Sequence, residues 1–143
     1  MSIKELDEII EEFNHADYQE TLELLIDYSE NLPELPKEFA GDRDKGINRV
    51  HECETPVFLF VDVDRDKVNI FADVPPESPT VRGLVSILVT AFNGATPDDV
   101  TNAPDDLLMK IGIGQKIGMR RMHGLSAVYS RIKDEVRKKS QKH

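Results

Sequence analysis

Apolar residues along this chain recur at helical spacing in some stretches and at every second position in another, and each period predicts an element. Ile3, Leu6, Ile9, Ile10 and Phe13 recur at helical spacing. Ser2-x-x-Glu5 ahead of them reads as a capping box, so a helix is expected from Ser2 to about Phe13. Asp17-x-x-Glu20 reads as a second box, opening a helix with Tyr18, Leu22, Leu25 and Ile26 on its buried face. Pro33 ends that helix near Asn31. Residues 36–46 are polar and rich in Gly and Asp, which predicts a mobile loop, and Ile47 to Val50 is expected as a short edge strand. From Pro56 to Val63 the period becomes two, with Val57, Leu59, Val61 and Val63 on one face and Phe58 and Phe60 on the other. Pro56 has no backbone donor and suits the start of that strand. Asp64-Arg65-Asp66-Lys67 predicts a turn, and Val68 to Ala72 the returning strand.

The second half is helical. Asp73 to Glu77, with Pro75-Pro76 inside it, is a rigid connector. Ser78-Pro79 then supplies an N-cap and a first-turn proline for a helix from Thr80 to Asn93. Leu84, Val85, Ile87, Leu88 and Phe92 make that helix apolar nearly all round, which predicts burial, and Gly94 stops it. A capped turn at Thr96-Pro97 follows, then a short helix from Pro104 to Lys110 ending at Gly112. A last helix starts at about Met119, with Met122, Leu125, Val128 and Ile132 as its stripe. No internal repeat or linker divides the chain. The expected fold is a single α+β domain over residues 1–143, with an antiparallel sheet of about three strands packed on helices.

Charge narrows the partners. The net charge is −9. Residues 1–40 carry twelve acidic residues against two lysines, while residues 131–143 hold six Lys and Arg against Asp134 and Glu135. So acidic a chain repels phosphate backbones, and no nucleic-acid partner is expected. The basic C-terminal helical tail reads as a helix end whose cations suit the dipole. No run approaches the ~20 apolar residues of a membrane span, and the first residues show no export signal. The lone cysteine, Cys53, forms no internal disulfide, which suits a cytoplasmic protein. It also excludes an all-cysteine zinc or iron–sulfur site in one chain.

Cys53 sits just ahead of the strongest strand pattern. A free cysteine is ordinarily a small buried hydrophobe, but Glu52 and Glu54 on either side argue for a partly exposed loop. Both carboxylates raise the thiol pKa if close, whereas Arg49 and His51 lower it. The net expectation is a thiol that is sluggish on its own. His51-x-Cys53 leaves too few further ligands for a metal, with only His15, His123 and His143 besides carboxylates. His123 is a candidate base for a cysteine nucleophile, although no spacing places it near Cys53. Gly112-x-Gly114-x-x-x-Gly118 reads as a turn between helices rather than a nucleotide loop.

Asn48, Val50, Cys53 and Val57 match in register the cysteine loop of the SufE family of sulfur-acceptor proteins, Asn-x-Val/Ile-x-Gly-Cys-x-Ser-x-Val-Trp. Thr55 stands for Ser, Phe58 for Trp and Glu52 for Gly. Other blocks resemble the family in the same order: Tyr18 to Leu35; Ala72-Asp73; Val81-Arg82-Gly83-Leu84, set about two residues later; the Thr96-Pro97-Asp98-Asp99-Val100 turn; and Arg121-x-x-Gly124-Leu125. The resemblance spans roughly Tyr18 to Lys133. It implies a fold shared with IscU-type scaffolds and a function in iron–sulfur cluster assembly. Cys53 would take persulfide sulfur from a SufS-type cysteine desulfurase, stimulating it, and pass the sulfur to a SufB-containing scaffold complex. Pyridoxal phosphate would reside on the desulfurase; this chain would bind no cofactor or metal and act as a monomer or homodimer. Arg49, His51, Glu52, Glu54 and Arg121 are the expected docking residues. The loop is expected near solvent, its thiol partly sheltered by Val57, Phe58 or the last helix. Glu52 at a usual glycine position implies strain or a differently shaped loop. A regulator that docks on the desulfurase with Cys53 incidental is the alternative; a cluster scaffold is disfavoured by the single cysteine.

Overall fold

The computed structural model describes residues 4–141. In chain order, α1 (Lys4–Asn14), α2 (Tyr18–Glu30) and α3 (Lys37–Asp44) precede a hairpin of β1 (Phe58–Asp64) and β2 (Lys67–Asp73). Then come α4 (Pro79–Phe92), α5 (Pro97–Thr101), α6 (Leu107–Ile111), α7 (Gly114–Ile117) and α8 (Met119–Ser140). The fold is α+β: a two-stranded antiparallel sheet lies against helices, with α4 at the centre of the core. The box expected at Ser2 falls outside the described residues.

Both boundaries of α2 are locally encoded. Asp17 accepts a hydrogen bond from the Glu20 N–H at 2.8 Å and its own N–H donates to the Glu20 carboxylate at 3.2 Å. Its buried face, however, is Thr21, Leu25 and Ser29, while Tyr18 and Ile26 are 57% and 45% exposed. Backbone proximity explains the shift. α2 crosses α4 at Gly83, where an added Cβ would lie 2.3 Å from the Leu25 carbonyl oxygen. Only small residues fit on α2 beside so close a crossing. The buried hydroxyls satisfy themselves on their own helix, Thr21 donating to the Asp17 carbonyl and Ser29 to that of Ile26. Arg82 Nε donates to the Ser29 carbonyl at 2.8 Å, and its Nη1 to the Val74 carbonyl, fastening the end of α2 to the connector.

The segment expected as a loop over 36–46 forms α3 instead. It has no side-chain cap and buries no residue fully. Phe39 holds it in place, stacking on Phe60 at 4.6 Å and meeting Phe71 at 5.2 Å on the outer face of the hairpin. Local composition carries no sign of such a tertiary contact.

The hairpin register pairs Leu59 with Ala72, Val61 with Ile70 and Val63 with Val68 on the core face. Its turn places Arg65 and Asp66 at φ 52° and 62°, the left-handed pair that a two-residue hairpin loop requires. The expected third strand is reduced to one bridge, Arg49 to Phe58. Asn48, at φ 66°, turns the chain out of extended conformation before a strand can form. The other edge is closed by a loop: Asn93 Oδ1 accepts from the Ile70 N–H at 2.6 Å, and Val68 exchanges backbone bonds with Gly94 and Ala95.

α4 is buried from Gly83 to Val89 and again at Ala91 and Phe92, with Pro79 and Thr90 exposed, and Ser78 makes no side-chain capping bond. α6 starts later than expected, and the sequence pattern gives no sign of the one-turn α7. α8 buries Leu125, Val128, Ile132 and Val136 together with Lys133, whose ammonium donates to the Ala103 carbonyl and the Asp105 carboxylate.

Candidate functional site

The stretch from Val50 to Val57 is a closed loop. The Val50 N–H donates to the Val57 carbonyl at 2.8 Å, and inside it the Cys53 N–H donates to the Val50 carbonyl at 3.3 Å. This tight turn puts His51, Glu52 and Glu54 outside while directing Cys53 inward, 3% exposed. Glu52 therefore costs nothing in backbone terms. It is not among the positive-φ residues, and the left-handed position of the segment falls on Asn48, a residue type that tolerates it.

Cys53 packs on α8 at Gly124. A Cβ added there would stand 2.9 Å from Cys53 Cα and 3.1 Å from Sγ, so the glycine is what lets loop and helix touch. On one side of this contact a cleft of about 390 Å³ opens to the surface, lined by Cys53, Thr55, Val81, Ile117 and the side chains of Glu54, Arg120 and Arg121. The thiol thus forms part of a cleft wall, more deeply covered than the charged neighbours suggested, and its cover is the last helix.

Burial pushes the Cys53 thiol above its ordinary pKa, and the Glu54 carboxylate adds to the rise. The Thr55 backbone N–H and the Arg49 guanidinium pull the other way. Desolvation rather than charge dominates, which the sequence could not show. A neutral, covered thiol should alkylate at pH 7 about tenfold or more slowly than the same cysteine in urea, and the rate should climb with pH. The sign for stability follows: the unfolded chain releases the thiol proton first, so stability falls as pH rises past the ordinary cysteine range. Equal alkylation rates for folded and unfolded protein at pH 7 would contradict both.

The expected docking residues divide. His51, Glu52 and Glu54 are exposed on the loop, and Arg121 is exposed at the cleft with its Nη1 on the Ile117 carbonyl at 3.4 Å. Arg49 departs from the expected rim, since its Nε is buried and without a hydrogen-bond partner among the described residues. Arg120, not foreseen, pairs with Glu54 at 3.6 Å; both are exposed and the pair is worth little. His123 lies in a separate groove with Glu52, Arg131 and Asp134. No group of three or more His, Cys, Asp or Glu is placed to hold a metal ion among the described residues. Val81, Ile117 and Gly124 were missed as site residues. The Arg121-x-x-Gly124 block pointed to Gly124 without saying what it touches.

The role of Gly124 is testable. Gly124→Ala gains helix propensity of about 1 kcal/mol but forces the cysteine loop off α8, at a cost of about 1–3 kcal/mol. The expected signature is little net change in urea midpoint together with faster alkylation of Cys53. A slower or unchanged rate would show that the loop absorbs the methyl without lifting.

Comparison with known proteins decides the family. The SufE model, described as an Fe-S metabolism associated domain, matches residues 7–136. This chain belongs to the SufE family. An uncharacterized SufE-like protein of Mycobacterium tuberculosis is 33% identical over 133 residues, 92% of this chain and 91% of its own length. The sulfur acceptor protein CsdE of Escherichia coli is 29% identical over 110 residues, 76% of this chain and 71% of its own. The solution structure of a hypothetical protein from Thermus thermophilus superposes with a TM-score of 0.84 at 29% identity, covering 99% of both chains. No described helix is long and apolar enough to cross a membrane.

Proposed function

We propose that this SufE-family protein is a cytoplasmic sulfur acceptor that works with a SufS-type cysteine desulfurase, stimulates it, and supplies a SufB-containing iron–sulfur scaffold. One observation carries the reading. The chain's only cysteine lines a surface cleft at the end of a hydrogen-bonded loop, with two arginines lining the same cleft. The likeness to a sulfur acceptor of Escherichia coli supports it.

The chemistry needs no cofactor on this chain. The Cys53 thiolate attacks the terminal sulfur of the donor's persulfide, R–S–SH. A new S–S bond forms on Cys53 as the donor's S–S bond breaks, and the donor leaves as a thiolate that takes up the proton released by Cys53–S–SH. Nothing is oxidised or reduced overall. The Thr55 N–H and Arg49 favour the attacking anion, while burial keeps it scarce until the partner arrives. Because Cys53 is covered by α8 at Gly124, transfer requires the loop and the helix to part there.

Mixing the protein with its desulfurase and free cysteine should add about 32 Da to Cys53, the mass of one sulfur. Stimulated turnover without any mass change would instead establish the regulatory reading.

A further inference from the structure

Along β1 the even-numbered side chains face away from the core, and the hairpin register sets Phe60 beside Phe71 and Asp62 beside Asn69 on this outer face. α3 covers only the aromatic half, through the ring of Phe39 on those of Phe60 and Phe71. Beside it lies a cleft of about 520 Å³ that shares no lining residue with the cleft holding Cys53. The three rings line it together with the carboxylates of Glu38, Asp42, Asp62 and Asp64. All four acidic residues are exposed, and none of them makes an ion pair among the described residues. Lys139 is the one cation lining this cleft among the described residues, and its ammonium donates to the Val61 carbonyl at 2.5 Å rather than to a carboxylate. That carbonyl belongs to an open edge. The Leu59 N–H donates to the Asn48 carbonyl, so the odd-numbered residues of β1 turn their backbone groups away from β2. Beyond the bridge at Arg49 no strand of the described residues takes them up.

We propose that this outer cleft docks an extended, arginine- or lysine-bearing segment of a partner protein, which joins β1 as a third strand. The walls are acidic and uncompensated and the floor is aromatic, which suits a cation carried on an apolar stem. The open edge suits a backbone, which a free small cation lacks. Alternate side chains of an added strand fall on the outer face, so successive cations reach first Phe60 and then Asp62. Lys139 guards the edge until then, as lysine commonly does on exposed strands, and the incoming strand displaces it from the Val61 carbonyl. The carboxylates are not grouped to hold a metal ion. The proposal goes beyond the sulfur-acceptor reading and does not depend on it, because Cys53 lies in the other cleft.

The probe is a short fluorescent peptide alternating Arg and Thr, titrated against the full chain at low salt. Saturable binding is expected, with slower hydrogen exchange at the Val61 and Val63 amides as they gain partners. Asp62→Asn combined with Asp64→Asn should weaken binding about tenfold. Glu5→Gln combined with Glu8→Gln removes the same charge from a separate acidic cleft beside α1 and should weaken it less than about twofold. All four side chains are exposed, so the fold survives either change. Lys139→Gln removes the guard and the competing charge, and should tighten binding about threefold. Equal losses in the two acidic pairs would show attraction to the overall charge and overturn the proposal. Unchanged exchange at Val61 and Val63 would overturn it too, as would displacement of the peptide by an equal concentration of arginine amide, which would mark a small-cation site. The same holds if no binding is seen at about 1 mM peptide.

Discussion

Cys53→Ala should abolish sulfur acceptance, with no added mass after incubation with a desulfurase and free cysteine, and should lose the stimulation that depends on it. A methyl group cannot attack a persulfide, and no second thiol exists in the chain to substitute. Binding to the desulfurase should persist, because His51, Glu52, Glu54 and Arg121 stay on the surface. The variant should therefore compete with wild type. Alanine is a better choice than serine at this site. With Cys53 3% exposed, a serine hydroxyl would enter a buried position at a cost of roughly 1–3 kcal/mol. A stability loss in Cys53→Ser thus says nothing about function, whereas Cys53→Ala removes only a sulfur atom from the packing. Full stimulation by a well-folded Cys53→Ala protein would sink the transfer mechanism and leave a docking regulator.

Gly83→Ala should be the most damaging single methyl in the molecule. The new Cβ would meet the Leu25 carbonyl oxygen at 2.3 Å and its carbon at 3.0 Å, both backbone atoms of a helix that cannot rotate aside. α2 and α4 must separate, at a cost of about 3 kcal/mol or more. Alanine's better helix propensity returns about 1 kcal/mol. The net loss of about 2 kcal/mol should lower Tm by about 8 °C. Gly41→Ala is the control: it sits in α3 with open space around its would-be Cβ, and should leave Tm unchanged or slightly raised. A Gly83→Ala Tm within about 2 °C of wild type would mean that the crossing is looser than described.

The two glycines show how far the sequence can be read. Gly83 and Gly124 are both visible inside family-like blocks, yet glycine at mid-helix says only that something approaches closely. The partners, Leu25 carbonyl and Cys53, lie 58 and 71 residues away in the chain and come together only in the folded protein. The buried face of α2 departs from its expected one for the same reason. Tyr18 and Ile26 are more apolar than Thr21 and Ser29, and hydrophobicity alone ranks them as core. Backbone contact at Gly83 selects small side chains over greasy ones. For Cys53, flanking carboxylates correctly indicate an exposed loop but not that its centre turns inward.

By itself the sequence determined what neighbouring residues settle among themselves. The α2 capping box, the hairpin with its two-residue turn and the largely apolar α4 all rest on interactions between residues a few positions apart. Periodicity and capping chemistry record such interactions directly. Tertiary structure alone decided the rest: that Phe39 converts a polar loop into α3, that Asn48 stops a third strand, that Cys53 lies under Gly124, and that Arg49 keeps a buried N–H without a partner among the described residues. Each of these depends on atoms distant in the chain meeting in space. Packing and desolvation act on the environment of the folded residue, which its local sequence does not encode.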